Sequence, residues 1–454
     1  MGCGASKGDR SAADGAGSPP RPTTQEVTPA APENLSPTDC ARAAANVVTA
    51  KRALVVALDL ADRTAACDDG RDEVLEASVQ FAMALTNSPG KLAKGMYEGP
   101  DSLFAMLHPK TADGLAPVRL LRTSWIKVRA GLLREATIDE ERRRLALPRR
   151  QDLERDEPEA FISPEELEAL PRNKATGSLP LGASSYCWLT PEHPDPLGEQ
   201  LVSLAAAIER AETEGEHGNP SGQAFPAEAA MFIDFGSLHQ KDHEGKRSES
   251  EKAAFDDALS CMQLWYAHPL TTAFLTRSLP SGYDGVLGYA ERGWPTCESS
   301  WAALAKVTRD VSWAPIFDVM SSRPYTRPSP MAPATLARLV ASKRFTSKKG
   351  DLPMVIELNT RTILSLFQET TELGYAGLGW GDAEVVQLCG VIPFCRSLTK
   401  LFLYRNNIGD LGVSELAAVC ARGALTQLVG LDLAGNEIGE EGMKSFAEAL
   451  SRGA

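Results

Sequence analysis

The side chains in this 454-residue chain that could do chemistry fall into a few short runs. Ser184-Ser185-Tyr186-Cys187-Trp188 leads into Thr190-Pro191-Glu192-His193-Pro194-Asp195, and Ile233-Asp234-Phe235-Gly236-Ser237 closes an apolar stretch. Further on, Tyr289-Ala290-Glu291-Arg292-Gly293-Trp294-Pro295-Thr296-Cys297-Glu298 sets a carboxylate behind a tryptophan. These runs are polar where a core segment would be apolar, and in open α/β sheets ligands bind at the carboxyl ends of strands. Glu298 is expected in the first turn of a helix at that rim, where its ordinary uses are to favour the positive helix end or to pair with Arg292. Trp188, Trp294 and Trp301 serve more often as core anchors than as stacking platforms. His239-x-x-x-His243 has metal-ligand spacing but no third ligand at a characteristic distance, so no metal is assigned. Cys187 and Cys297 lack a partnering histidine for thiol nucleophilic chemistry, and Lys343, Arg344, Lys348 and Lys349 read as a solvated basic loop.

A different chemistry is written at the start. Met1-Gly2-Cys3-Gly4-Ala5-Ser6 matches the pattern in which Gly2 is myristoylated once Met1 is removed. One myristoyl chain holds a membrane only marginally, so a second signal is needed. Lys7, Arg10 and Arg21 are offset by Asp9, Asp14, Glu26 and Glu33, which leaves no polybasic patch and makes Cys3 the palmitoylation candidate. Residues 1–35 read as a flexible acylated tail, because the Ala, Gly, Ser, Thr and Pro rich stretch after Ser11 has few large apolar groups to offset ordering entropy. The expected location is cytoplasmic and peripheral to a membrane.

These residues need elements to hold them. Ser36-Pro37-Thr38-Asp39 starts a helix by its capping pattern, and residues 36–150 stay helical in pattern, a helical accessory region without evident chemistry. Ser163-Pro164-Glu165-Glu166 opens a short helix after a charged connector. Leu181–Trp188, Ala229–Phe235, Thr271–Thr276 and Trp313–Met320 read as strands alternating with helices over Leu197–Glu212, Glu249–Tyr266 and Thr296–Val307. Such alternation argues a parallel sheet, so 177–320 is expected as an α/β domain and 321–365 as a Pro-rich linker with helices. In 366–454, Leu398-x-x-Leu401-x-Leu403-x-x-Asn406 returns thirty residues later as Leu428-x-x-Leu431-x-Leu433-x-x-Asn436. That is the spacing of a short leucine-rich-repeat solenoid, and an earlier, degraded unit is expected around Leu373, Tyr375 and Gly381-Asp382.

Composition restricts the function classes. Hydrophobic residues at 43% and charged residues at 24% are those of a folded protein, which excludes wholesale disorder and coiled coil. A formal charge of -13 opposes the counterion release that rewards nucleic-acid binding. The longest apolar run is far shorter than a membrane span. Nine scattered cysteines without a C-x-x-C pair fit a reducing compartment.

Ser185-Tyr186-Cys187-Trp188, Phe232-Ile233-Asp234 with Gln240 downstream, the helix ending Met262 to Ala267, and Arg292-Gly293-Trp294 with Glu298 four beyond the Trp together resemble heterokaryon-incompatibility (HET) domains. The last element is also similar to Toll/interleukin-1 receptor (TIR) domains, although Pro295 stands where those usually carry Cys and no glycine-rich phosphate loop follows the first strand. The repeats look like the ribonuclease-inhibitor-like class. The resemblance implies a TIR-like flavodoxin fold used in immune and cell-death signalling, some members of which cleave NAD at the nicotinamide–ribose bond. Glu298 would then be the catalytic carboxylate, stabilising the ribosyl cation as an already cationic nicotinamide leaves. Trp294 would stack on a planar ring, Asp234 would hold a ribose hydroxyl, the turn at Ser185 would face phosphates, and Trp188 would also bind the substrate. NAD is thus a substrate candidate, with no resident cofactor. The partners expected are a protein at the repeats, a membrane through the acyl groups and a second copy of the α/β domain; the competing class is a non-catalytic scaffold.

Overall fold

The computed structural model describes residues 37–63, 69–88, 95–173, 177–214, 225–304, 306, 316–321 and 327–451. Gly2 and Cys3 lie outside them. Four parallel strands carry the centre of a mixed sheet: β3 (Leu181–Ser185), β4 (Ala230–Phe232), β5 (Thr272–Leu275) and β6 (Ile316–Asp318). β1 (Leu120–Arg122) and β2 (Phe161–Ile162) extend one edge antiparallel, giving the order β2-β1-β4-β3-β5-β6. The register sets Ala183 opposite both Phe232 and Ala273, and Ser185 opposite Leu275. β3, β4 and β5 are buried along their whole length, as strands covered on both faces must be. Gly182 lets them close up, since a Cβ there would sit 2.4 Å from the Met231 sulfur.

One face of the sheet is covered by α3 (Thr123–Glu135) and α4 (Glu199–Glu214), whose Ile126, Leu133, Leu204 and Ile208 pack with Met231 and Phe274. The other face is covered by α6 (Gln263–Ala267), α7 (Gly293–Ala302) and α9 (Lys348–Glu369), with Trp265, Trp301 and Ile356 in one cluster with Ala183 and Phe232. α5 (Glu249–Ser260) precedes α6 and starts with a capping box formed by Ser248 and Glu251. α1 (Pro37–Arg63), α2 (Asp69–Thr86) and α8 (Pro333–Ala341) pack together and against α9. Lys51 reaches Glu357 at 3.1 Å, and Lys349 pairs with Asp59.

Downstream, β7 (Glu372–Gly374), β8 (Lys400–Phe402) and β9 (Gly430–Asp432) form a parallel sheet with Leu373, Leu401 and Leu431 in register. Each is followed by a helix: α10 (Asp382–Cys389), α11 (Asp410–Ala421) and α12 (Glu440–Ser451). Asn406 donates to Tyr375 O at 2.8 Å and Leu403 O at 2.9 Å and accepts from the backbone N–H of Leu378 at 2.9 Å and Trp380 at 3.1 Å. Asn436 repeats the pattern, donating to Leu403 O and Leu433 O and accepting from Ile408 N. Leu398, Leu401, Leu403 and Ile408 are fully buried, whereas Leu428, Leu431, Leu433 and Ile438, one unit on, are half-buried.

The structure departs from the sequence reading in several places. The 36–150 stretch contains β1, because Leu120 and Leu121 are buried on opposite faces of the sheet rather than on one helix stripe. The 321–365 stretch is not only a connector: in α9, Leu352, Val355, Ile356 and Ile363 are fully buried although Pro353 falls inside the helix. The first strand stops at Ser185, which leaves Trp188 in the loop, and the second stops at Phe232, so Asp234 opens the short helix Asp234–Ser237.

Candidate functional site at the strand ends

β3 and β5 lie side by side with their connections leaving on opposite faces of the sheet, and a crevice forms outside their carboxyl ends. Ser185 is the last residue of β3, and its side chain lies on the α7 face. There its Oγ donates to Glu298 Oε2 at 2.5 Å and lies 2.6 Å from the Tyr289 hydroxyl. With the serine proton given to Glu298, Tyr289 is the donor to Ser185. This orders a chain from Tyr289 through Ser185 to Glu298.

Glu298 sits in the second turn of α7, since the first turn holds no acidic residue, and it is 7% exposed. Neither ordinary use anticipated for it applies: it is past the helix start, and Arg292 Nε instead donates to Leu287 O at 2.9 Å. Burial pushes its carboxyl up to about 8; the Ser185 hydrogen bond opposes that shift, and the Asp234 charge adds to it. At neutral pH it therefore holds its proton and is poised to give it up when positive charge arrives.

Asp234 accepts from the hydroxyl of Tyr186, from Trp188 Nε1 at 3.4 Å and from Phe235 N at 2.7 Å. Desolvation raises its carboxyl above the usual range, and these three donors oppose the rise. Trp188 is half-buried, edge-on to Phe235 with ring centroids 5.7 Å apart. Tyr266 donates to Ser184 O at 3.0 Å beneath the cluster, and the charges of Glu298 and Asp234 both act on its hydroxyl. Ser185, Asp234 and Glu298 are thus gathered at one sheet end, with Trp188 bonded to Asp234.

Trp294 is not. Its indole hydrogen-bonds the Asp351 carboxylate at the start of α9, and the ring packs into the core on that side. Gly293 before it lies flush on Phe345, where a Cβ would come within 2.0 Å of the ring, and its N–H donates to Arg344 O at 2.8 Å. The Arg-Gly-Trp run is thus a docking joint between α7 and the segment leading into α9. Lys348 Nζ donates to Ala341 O, so the basic loop is partly tied down. His239 is buried with its Nδ1 3.9 Å from Glu251, while His243 stands in an exposed turn. The Cys187 thiol is pushed up to about 11 by burial, unsuited to act as a nucleophile.

Sequence reasoning left two members unassigned: Tyr289 and Tyr266. Tyr289 lies in a loop whose path no periodicity predicts. Tyr266 looks like a core residue of its helix.

Residues 394–417 and 426–447 match the leucine-rich-repeat family model, while no curated protein and no solved structure gives a match to the chain. Leucine-rich repeats generally mediate protein interactions, which makes protein binding the role suggested for the C-terminal units.

Proposed function

We propose that the chain is a signalling protein in which a TIR- or HET-like α/β unit cleaves NAD at the nicotinamide–ribose bond and the leucine-rich repeats bind a protein partner. The observation that carries the reading is the buried Glu298 carboxyl, oriented by Ser185 and Tyr289, with no basic side chain paired to it or to Asp234 among the described residues. Such a site favours a ligand that brings its own positive charge, and the nicotinamide ring of NAD does. As the N-glycosidic bond breaks, the ring leaves neutral and the charge passes to the ribose. The Glu298 carboxylate stabilises it, and water attacking the anomeric carbon gives up its proton to the same carboxylate. Asp234 would accept from a ribose hydroxyl, and Trp188 at the rim would pack on the ring.

A second reading, a scaffold whose α/β units self-associate without turnover, draws support from how little of Glu298 is exposed. The two are separated by NAD consumption with the purified full chain. Catalysis predicts that Glu298→Gln lowers turnover by about 10²-fold or more; activity in neither protein, or equal activity in both, leaves the scaffold.

We further propose that Gly2 and Cys3 carry acyl groups that hold the protein at a membrane surface. Gly2→Ala should then move the protein from the membrane to the soluble fraction of a cell lysate, and an unchanged distribution would rule the anchor out.

A further inference from the structure

We propose that the cleft on the opposite face of β3 from Glu298 binds a primary ammonium group carried on a short apolar body. Successive strand side chains point to opposite faces, so while Ser185 meets Glu298, Ser184 lines this second cleft, together with Tyr186, Asp195, Gln200 and Thr276. Its enclosed part, about 20 Å³, has room for little more than a water-sized head group, and most of the surrounding 310 Å³ is open to solvent at its mouth. Leu147, Leu201 and Leu204 give it apolar walls.

The polar wall combines the hydroxyls of Ser184 and Thr276 with two acceptors that lack donors. Asp195 and Gln200 are 4% and 5% exposed. Asp195 caps the start of α4, one oxygen accepting from Leu201 N at 2.8 Å with the backbone N–H groups of Gln200 and Glu199 also favouring its charge, while its Oδ1 makes no hydrogen bond. Gln200 Nε2 donates to Cys187 O and Pro194 O, both at 2.9 Å, which fixes the amide and leaves Oε1 unmatched as well. Tyr186 has given its proton to Asp234 and offers only a lone pair. Buried acceptors without donors are costly until a ligand supplies them.

Charge points the same way. Asp195 forms no ion pair with a basic side chain among the described residues, and its nearest charged influence is Glu199, another carboxylate. An ammonium supplies three donors, no acceptor and the missing positive charge, and the leucine walls suit a short carbon chain behind it. The two clefts meet at Tyr186, whose hydroxyl bonds Asp234, but Asp195 and Gln200 make no hydrogen bond to Glu298, so this site does not require Glu298 to be catalytic.

The test is calorimetric titration of the full chain with n-butylammonium, with n-butanol as the uncharged control. Saturable binding of the amine is expected, about tenfold or more tighter than the alcohol. Asp195→Asn should weaken it about tenfold and Thr276→Val about threefold, while Glu298→Gln changes it less than about twofold. Thr276→Val alters one hydroxyl at a strand end and so carries the test even if Asp195→Asn loosens the start of α4. A parallel titration with Nα-acetyl-lysine amide separates the sources: binding as tight as butylammonium assigns the ammonium to a lysine side chain, and exclusion assigns a free amine. No saturable amine binding up to about 10 mM, or unchanged binding in both Asp195→Asn and Thr276→Val, would overturn the proposal.

Discussion

Glu298 is the residue on which the proposed reaction turns, and its burial has a consequence for stability that can be measured without any substrate. A carboxyl whose value in the folded state is raised to about 8 binds its proton more tightly folded than unfolded. Its contribution is therefore fully present below the ordinary glutamate range and is lost as pH rises from there through about 8. The change is on the order of 5 kcal/mol across that window. Glu298→Gln keeps the shape and removes the titration, so thermal melts should coincide near pH 5 and favour the variant at pH 9. Melting temperatures that differ by the same amount at both pH values would show that Glu298 is not held protonated by burial. Ser185, Asp234 and Glu298 were legible in the sequence because polar side chains interrupt apolar strands and a helix at one end. Trp294 misled, since its partner Asp351 lies on a helix that a proline-rich stretch disguised. Asp195 looked like loop polarity, because nothing in the order of residues shows that one carboxylate oxygen caps α4 while the other is left over.

At the scale of elements, the repeat units are held by contacts that tolerate little change. Asp382 Oδ1 accepts from Gly409 N at 2.7 Å and Gly412 N at 2.9 Å, and Asp410 Oδ1 accepts from Gly439 N at 2.6 Å in the next unit. A Cβ on Gly412 would lie 2.7 Å from that Asp382 oxygen and 3.3 Å from the Asp382 backbone, so the clash could be relieved only by separating the units. Alanine gains about 1 kcal/mol over glycine inside a helix, but overpacking costs about 1–3 kcal/mol, and the net expectation for Gly412→Ala is a loss of up to about 2 kcal/mol. Gly131 in α3 has open space where its Cβ would stand, so Gly131→Ala should gain about 0.5–1 kcal/mol. Denaturant unfolding checks both, and a gain at Gly412 would contradict the tight stacking. The leucine and asparagine spacing made β8 and β9 readable, since each side chain in that pattern has one obligatory place. β1 and β2 were not readable, being two or three residues long in a stretch whose longer segments are helical.

Over the whole molecule, the repeats are built onto the α/β unit. Arg327 is buried over the Tyr375 ring, 4.7 Å from its centroid, and donates to Ala303 O at 3.0 Å. The Tyr375 hydroxyl donates to Leu304 O, and Trp380 Nε1 donates to Arg327 O at 2.7 Å. Leu388, Leu398 and Leu401 belong to the same hydrophobic cluster as Trp301, Leu352 and Ala183. Three units lie near the lower limit for an independent stack, and the first gives its largest side chains to this joint. Residues 370–454 produced alone should be largely unfolded by circular dichroism, while the full chain carries the repeat signal through a single melting transition. A cooperatively folded fragment would contradict the shared core. Through this joint, the repeats and the strand ends belong to one packed body.

The most direct measurement is nicotinamide release from NAD by the full chain as a function of pH, in wild type and Glu298→Gln. A carboxylate that must lose its proton to act, held at about 8 by burial, predicts that kcat/KM rises with pH and levels off above that value, with the variant near the uncatalysed blank throughout. A pH-independent rate, or a variant that keeps pace with the wild type, would contradict it.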